Sequence, residues 1–287
     1  KQGINALMNG ILDSQGMRKR FDELLGERAP QFISSIVTLV NADANLQKAA
    51  TEAPMTVIQS ALKAATFDLP IEPSLGYAYI VPFNKSVKTA NGWSKRMEAN
   101  FIIGYKGMIQ LCLRTGAYSR VPDAVDVRQG ELVSYDRLTG DCVFRWEEDE
   151  EKRESLPVIG YAGFFRLKNG AEKTIYMTKK QIEQHEIRNR KGSSMGKGWQ
   201  DDFDAMARKT IIRKLCGKYG LMSITYQNGN DNIVNMATEV MQEENDYIQG
   251  DGYVQGDADD SEFIGDEVQD FPAYENDVDP ETGEVVR

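Results

Sequence analysis

An α+β fold follows from three features of this 287-residue chain. Helical periodicity dominates up to Phe67, short alternating runs separated by turns follow from Tyr77, and two further helical segments come after Thr178. Strands that succeed one another through turns, rather than alternating with long helices, pair antiparallel. The expected core is therefore an antiparallel sheet of hairpins with helices gathered on it.

Taken in order, MRKRFDELLGERAPQFISSIVTLV spaces its apolar residues at helical intervals. PMTVIQSALKAATF follows, with Pro54 near a helix start, where a missing N–H costs nothing. Residues 1–67 thus form a helical region with apolar positions to spare, able to pack on the core or on a neighbouring subunit. YAYIVPF is a strand, SVKTANGWSKRM a hairpin tip turning at Asn91-Gly92, and MEANFIIGY the returning strand. KGMIQLCLR (Lys106 to Arg114) is a short helix stopped by Gly116. VPDAVDV, LVSYD and CVFRW are three strands, and VIGYAGFFRLKNGAEKTIYMT is a second hairpin turning at Asn169-Gly170. Thr178 caps the helix KKQIEQHEIRNR, and a last helix runs from Gln200 to Tyr219, which makes 68–230 the α+β core.

The net charge of −10 hides two opposed parts. Residues 231–287 hold 18 acidic side chains against the single Arg287, which leaves 26 acidic and 33 basic residues in the rest. So acidic and glycine-rich a tail cannot bury enough apolar surface to offset the entropy of ordering, and disorder is expected beyond about Glu244. Its scattered Tyr253, Phe263, Ile264, Phe271 and Tyr274 suit a docking peptide, beside the plainer role of solubilising the chain.

Several functions are excluded or weakened. No apolar run reaches the roughly 18 to 20 residues of a membrane span, and the first residues lack the zones of a signal peptide, so a cytoplasmic protein without membrane contact is expected. Cys112, Cys142 and Cys216 are far apart and odd in number, which indicates neither a disulfide framework nor a zinc site. The single histidine, His185, lies in a polar run and reads as a solvated helix residue. KGSSMGKGW (Lys191 to Trp199) imitates a phosphate cradle, yet it is one residue short of a Walker loop, carries Gly198 where the hydroxyl must stand, and follows a helix. ATP use is not expected. Asp201, Asp202 and Asp204 read as helix-start residues that satisfy orphan amides, although a metal-dependent nuclease would use carboxylates of this kind.

From Lys179 to Lys218, eleven basic residues stand against five acids, nearly the whole basic excess of the body. Lys209 with Arg213, and Lys214 with Lys218, share helix faces, while Phe203, Met206, Ile211 and Leu215 supply an apolar anchor. A cationic groove with aromatic faces is what single-stranded nucleic acid requires. Trp199 beside Lys197 and Tyr105 beside Lys106 suit that pairing; Tyr105 equally suits a place in the core, and Trp199, flanked by polar residues, suits one less well. Gly104 and Gly107 either let a DNA backbone come close or ease a strand-to-helix turn.

Three blocks, FDLPIEPSLGYAYIVPFN (Phe67 to Asn84), FIIGYKGMIQLCLRTG (Phe101 to Gly116) and WQDDFDAMARKTIIRKL (Trp199 to Leu215), resemble in order and spacing those of the RecT family of phage single-strand annealing proteins. The resemblance covers roughly Met17 to Leu221 and leaves out the acidic tail. It implies an ATP-independent, non-enzymatic recombinase that binds single-stranded DNA and the annealed duplex and assembles into rings or helical filaments. It further implies a core similar to that of the Red beta annealing proteins and a 5′ to 3′ exonuclease partner; that exonuclease or the host single-strand binding protein is the expected partner of the acidic tail. No cofactor is implied beyond magnesium associated with DNA. The residues expected at DNA are Lys106, Arg114, Arg120, Arg188, Arg190, Lys191, Lys197, Arg208, Lys209, Arg213 and Lys214, with Trp199 and Tyr105 as base or sugar contacts. The alternatives are a metal-dependent DNA nuclease and a passive single-strand shield.

Overall fold

Apolar residues at helical spacing draw the N-terminal segment into α1 (Gln2–Leu12), α2 (Gln15–Leu25), α3 (Ala29–Ala42), α4 (Ala44–Glu52) and α5 (Pro54–Thr66). The computed structural model describes residues 2–89, 92–190 and 193–222. Asp43 separates α3 from α4, its carboxylate accepting the amides of Asn45 and Leu46 at 2.7 and 2.9 Å. That satisfies two of the donors a helix start leaves unpaired. Pro54 occupies the start of α5, as its missing donor favours.

The hairpin formed by β1 (Ala78–Thr89) and β2 (Gly92–Ile103) lies against these helices. Its register sets Ala78 opposite Ile103 and Thr89 opposite Gly92, so that Ala78, Ile80, Met97, Ala99, Phe101 and Ile103 share one buried face. A two-stranded ribbon leaves open edges, and helix side chains close the edge of β2. Glu52 accepts the Met97 amide at 2.6 Å, Thr56 accepts the Ala99 amide at 2.9 Å, and Ser60 donates to the Ala99 carbonyl at 3.4 Å. Spaced four apart, the three residues present one continuous polar line from α4 into α5. Phe67 stacks on Phe101 with ring centroids 5.7 Å apart. Helices and hairpin thus share a core within the compact unit that runs from the N-terminal helices to Gln110.

The second unit begins at Leu111, within α6 (Tyr105–Arg114). It continues through β3 (Tyr118–Arg128), β4 (Leu132–Tyr135), β5 (Cys142–Phe144), α7 (Glu150–Ser155), β6 (Val158–Leu167) and β7 (Glu172–Thr178), then α8 (Lys179–Asn189), α9 (Lys197–Asp201) and α10 (Phe203–Tyr219). The strands pair antiparallel in the order β3-β6-β7, with β4-β5 as a separate ribbon, so the fold is α+β with small antiparallel sheets. The turn between β6 and β7 contains Gly170 at φ 89, a backbone conformation that glycine adopts without strain. α10 lies across all three strands. It lies close at Gly163, where an added Cβ would stand 2.5 Å from Ile211 Cγ2. The helix expected from Gln200 to Tyr219 is interrupted at Asp202, whose non-helical backbone ends α9 and whose side chain caps α10. Beyond α10, the Tyr118 hydroxyl accepts the Leu221 amide at 2.6 Å and donates to its carbonyl at 3.0 Å, tying the chain to β3. The acidic stretch 231–287 and the turn residue Asn91 lie outside the described residues.

Candidate nucleic-acid interface

The basic segment starts from a well-anchored helix. Thr178 Oγ1 accepts the Gln181 amide at 3.1 Å while Gln181 Oε1 accepts the Thr178 amide at 2.8 Å, a reciprocal cap that satisfies both donors. α8 then buries Ile182, His185, Glu186 and Asn189. His185 is 2% exposed, against the expectation of a solvated residue. The polar run conceals a packed face because, beside Ile182, its buried members are themselves polar. Asn189 Nδ2 donates to the His185 carbonyl at 2.8 Å and lies 3.1 Å from its Nδ1, and the imidazole faces Trp199 at 6.4 Å between centroids.

Trp199 is 5% exposed and packs on Phe203 at 5.1 Å, and Phe203 lies 6.4 Å from Tyr161. This aromatic row fixes the start of α10, with the Lys179 ammonium 5.8 Å from the Phe203 ring. Asp202 accepts the Ala205 amide at 2.8 Å, and Asp204 accepts the Tyr161 hydroxyl. Burial, reinforced by Asp204, raises the Tyr161 hydroxyl far above its ordinary pKa, which keeps it a donor. Asp202 thus does the helix-start work read from its position, whereas Asp204, in the first turn of α10, accepts the Tyr161 hydroxyl and Asp201 stands at the end of α9.

The candidate DNA contacts divide by exposure. Lys106, Arg114, Arg120 and Lys197 are exposed, as are Lys179, Lys180 and Lys218, while Tyr105, Arg188, Arg190, Arg208 and Lys209 are half-buried. Lys191 lies outside the described residues. Arg213 and Lys214 are 6% and 5% exposed, so the two helix faces expected to present paired cations do not do so. The reason is the position of α10 across three strands, which leaves it little free surface. Its long cationic stems are used in packing: Lys209 Nζ lies 3.6 Å from Met206 Sδ, and Lys214 Nζ lies 3.9 Å from Met177 Sδ. Arg190 pairs with the buried Glu186 one turn back.

An ionic network that sequence reasoning missed holds Arg208. Asp126 on β3 receives Arg128 Nε at 2.9 Å, Arg153 Nη2 at 3.4 Å and Arg208 Nη1 at 3.6 Å. Glu131 receives Arg153 Nε at 2.7 Å and the Arg128 amide at 2.7 Å. Burial alone would raise the Glu131 carboxyl, but the Arg153 guanidinium and the Arg128 and Glu147 amides outweigh it and hold the pKa below the usual carboxylate value. No local spacing signals this network, since its members come from β3, the turn after it, α7 and α10.

Both glycines of the second block are explained within the fold. An added Cβ at Gly104 would stand 2.2 Å from the Gly76 carbonyl oxygen, and at Gly107 2.1 Å from that of Tyr77. Among the described residues no group of three or more His, Cys, Asp or Glu is placed to hold a metal ion. Asp126 and Glu131 are already met by guanidinium groups, so this donor set does not fit a resident magnesium ion. No described helix is long and apolar enough to cross a membrane.

The α+β fold gathers its basic excess between Lys179 and Lys218, against the aromatic row of Trp199 and Phe203, and keeps Lys179, Lys180, Lys197 and Lys218 exposed, a composition suited to a polyanion. The RecT family model matches residues 30–248, and the chain belongs to that family, whose members bind DNA and anneal single strands in recombination. The chain is 45% identical over 226 residues to the uncharacterized protein YqaK of Bacillus subtilis, a match covering 79% of this chain and 72% of that protein. It is 33% identical over 175 residues to protein RecT of Escherichia coli, a match covering 60% of each chain.

Proposed function

We propose that the protein binds single-stranded DNA and anneals complementary strands without consuming ATP, as an oligomer or filament on DNA. The setting is phage recombination in the cytoplasm of a bacterial host, with a 5′ to 3′ exonuclease and the host single-strand binding protein as partners. Family membership across residues 30–248 carries this reading. The concentration of eleven basic residues between Lys179 and Lys218 supports it.

Annealing needs no fuel, because each base-pair step gained is worth about 1.4 kcal/mol and ten or twenty steps run strongly downhill. The obstacle is kinetic, since two polyanions repel and single strands fold on themselves. Cations along the backbone lower the repulsion and extend the strand, leaving the base edges free to find their complement. Lys106, Arg114, Arg120 and Lys197 are the proposed exposed phosphate contacts, with Arg188, Arg190, Arg208 and Lys209 at their margins and Tyr105 against a base or sugar. Trp199, Arg213 and Lys214 are proposed to stiffen the segment from beneath.

A fluorescence assay of complementary oligonucleotides without ATP tests the reading. Faster pairing than in protein-free DNA is expected, and no acceleration overturns it. Tight binding that slows pairing would identify a passive shield instead. Magnesium-dependent scission that disappears in Asp202→Ala or Asp204→Ala would identify a nuclease.

A further inference from the structure

The β1-β2 hairpin carries chemistry that the core segment does not account for. Its register sets Lys88 opposite Trp93 and Ser86 opposite Lys95. Side chains directly across an antiparallel pair share a face, as do residues two apart along a strand. Lys88, Trp93 and Lys95 therefore share one face, Lys88 directly across from Trp93 and Lys95 two residues along its strand. Nearer the strand ends this same face is buried as Met97, Ala99, Phe101 and Ile103. From Gly92 to Arg96 every residue of β2 is exposed, so the hairpin projects beyond its helical support as an arm.

Trp93 is 75% exposed, the most exposed aromatic ring among the described residues. On the opposite face, Lys85 Nζ and Arg96 Nε reach the buried Glu98 at 3.4 and 3.0 Å. Burial alone would raise the Glu98 carboxyl, but Arg96 and Lys85 together bring it below its usual value, so its charge is committed to them. The arm sets four cations, Lys85, Lys88, Lys95 and Arg96, against that one buried acid.

We propose that the arm is a second single-strand contact, in which Trp93 stacks on an unpaired base while Lys88 and Lys95 hold the adjoining phosphates. Stacking of this kind tolerates any sequence, as every base has a π face. Single-stranded DNA fits better than duplex, whose bases already stack on one another. It also fits better than the part of a second copy outside residues 231–287, which carries 33 basic against 26 acidic residues and would repel the arm. This proposal rests on the annealing reading, and the test separates the two.

In the full-length chain, binding of a labelled oligothymidine is measured by anisotropy for the native protein and for Trp93→Ala, Trp93→Phe and Lys88→Ala/Lys95→Ala. Tryptophan fluorescence and unfolding midpoints are recorded alongside. Trp93→Ala is expected to weaken binding on the order of 5- to 150-fold and to lose most of the DNA-induced quenching. Trp93→Phe should retain most of the affinity, the double lysine variant should show a shallower salt dependence, and the unfolding midpoints should stay unchanged. Native binding and quenching preserved in Trp93→Ala would overturn the arm contact and leave the annealing reading standing. A Trp93→Ala protein that binds DNA normally but no longer self-associates would also overturn it, in favour of a contact between copies. Failure of the native protein to bind the strand would sink the annealing reading itself.

Discussion

Gly163→Ala tests how α10 is seated on the sheet that carries it. The added Cβ would stand 2.5 Å from Ile211 Cγ2, with Leu215 Cδ2 at 3.4 Å. Carbon atoms in ordinary contact stay about 3.5 to 4.0 Å apart, so Ile211 must leave its rotamer or α10 must retreat by about 1 Å. Overpacking of this kind costs about 1 to 3 kcal/mol, and the lower chain entropy of alanine in the unfolded state offsets about 0.4 to 1 kcal/mol of that. Ile211→Ala removes the clashing methyl group and by itself costs about 2 to 5 kcal/mol. In the double variant the new methyl group enters the space that Ile211 vacates, so the two costs should not add. Urea unfolding of the four proteins, followed by circular dichroism, should give a coupling energy of about 1 to 3 kcal/mol. Additivity within about 0.5 kcal/mol would refute the close approach of α10 to β6.

Acid should destabilise the fold through Glu98 and Glu131, whose folded pKa values lie below the reference value of 4.5. Their contribution is complete above the unfolded value and is lost as pH falls through the folded values, so Glu131→Gln should flatten the acid limb of a thermal-stability profile while costing about 3 kcal/mol near neutrality. A salt titration of oligonucleotide binding should lose about 0.7 of its logarithmic slope for each phosphate contact removed, which Lys106→Ala and Lys197→Ala test. Changing Arg213 or Lys214 should lower the unfolding midpoint first, since both are buried. Deletion of residues 246–287 removes a strongly acidic stretch and should leave oligonucleotide affinity unchanged or higher, and a collapse of binding would show that the stretch is structural.

What the sequence made legible was local. Thr178, Gly116 and the Asn169-Gly170 turn act within a few residues of themselves, and each stands where a neighbour-by-neighbour reading puts it. The exposure of a cation on α10 is not local. Arg213 and Lys214 fall on faces that look open in a helical projection, and only the three strands beneath reveal that little of α10 is free. Asp126, Glu131, Arg153 and Arg208 meet through tertiary contacts that no spacing rule encodes. Trp93 shows the same limit from the other side. Its place in a hairpin tip was read from Asn91-Gly92, but whether the indole is core or surface depends on where helical cover ends along the hairpin. That end is set by Glu52, Thr56 and Ser60, which pair the edge of β2 only at Met97 and Ala99. The polar line that secures the base of the hairpin therefore also determines how much of it stands free as a basic, tryptophan-bearing arm.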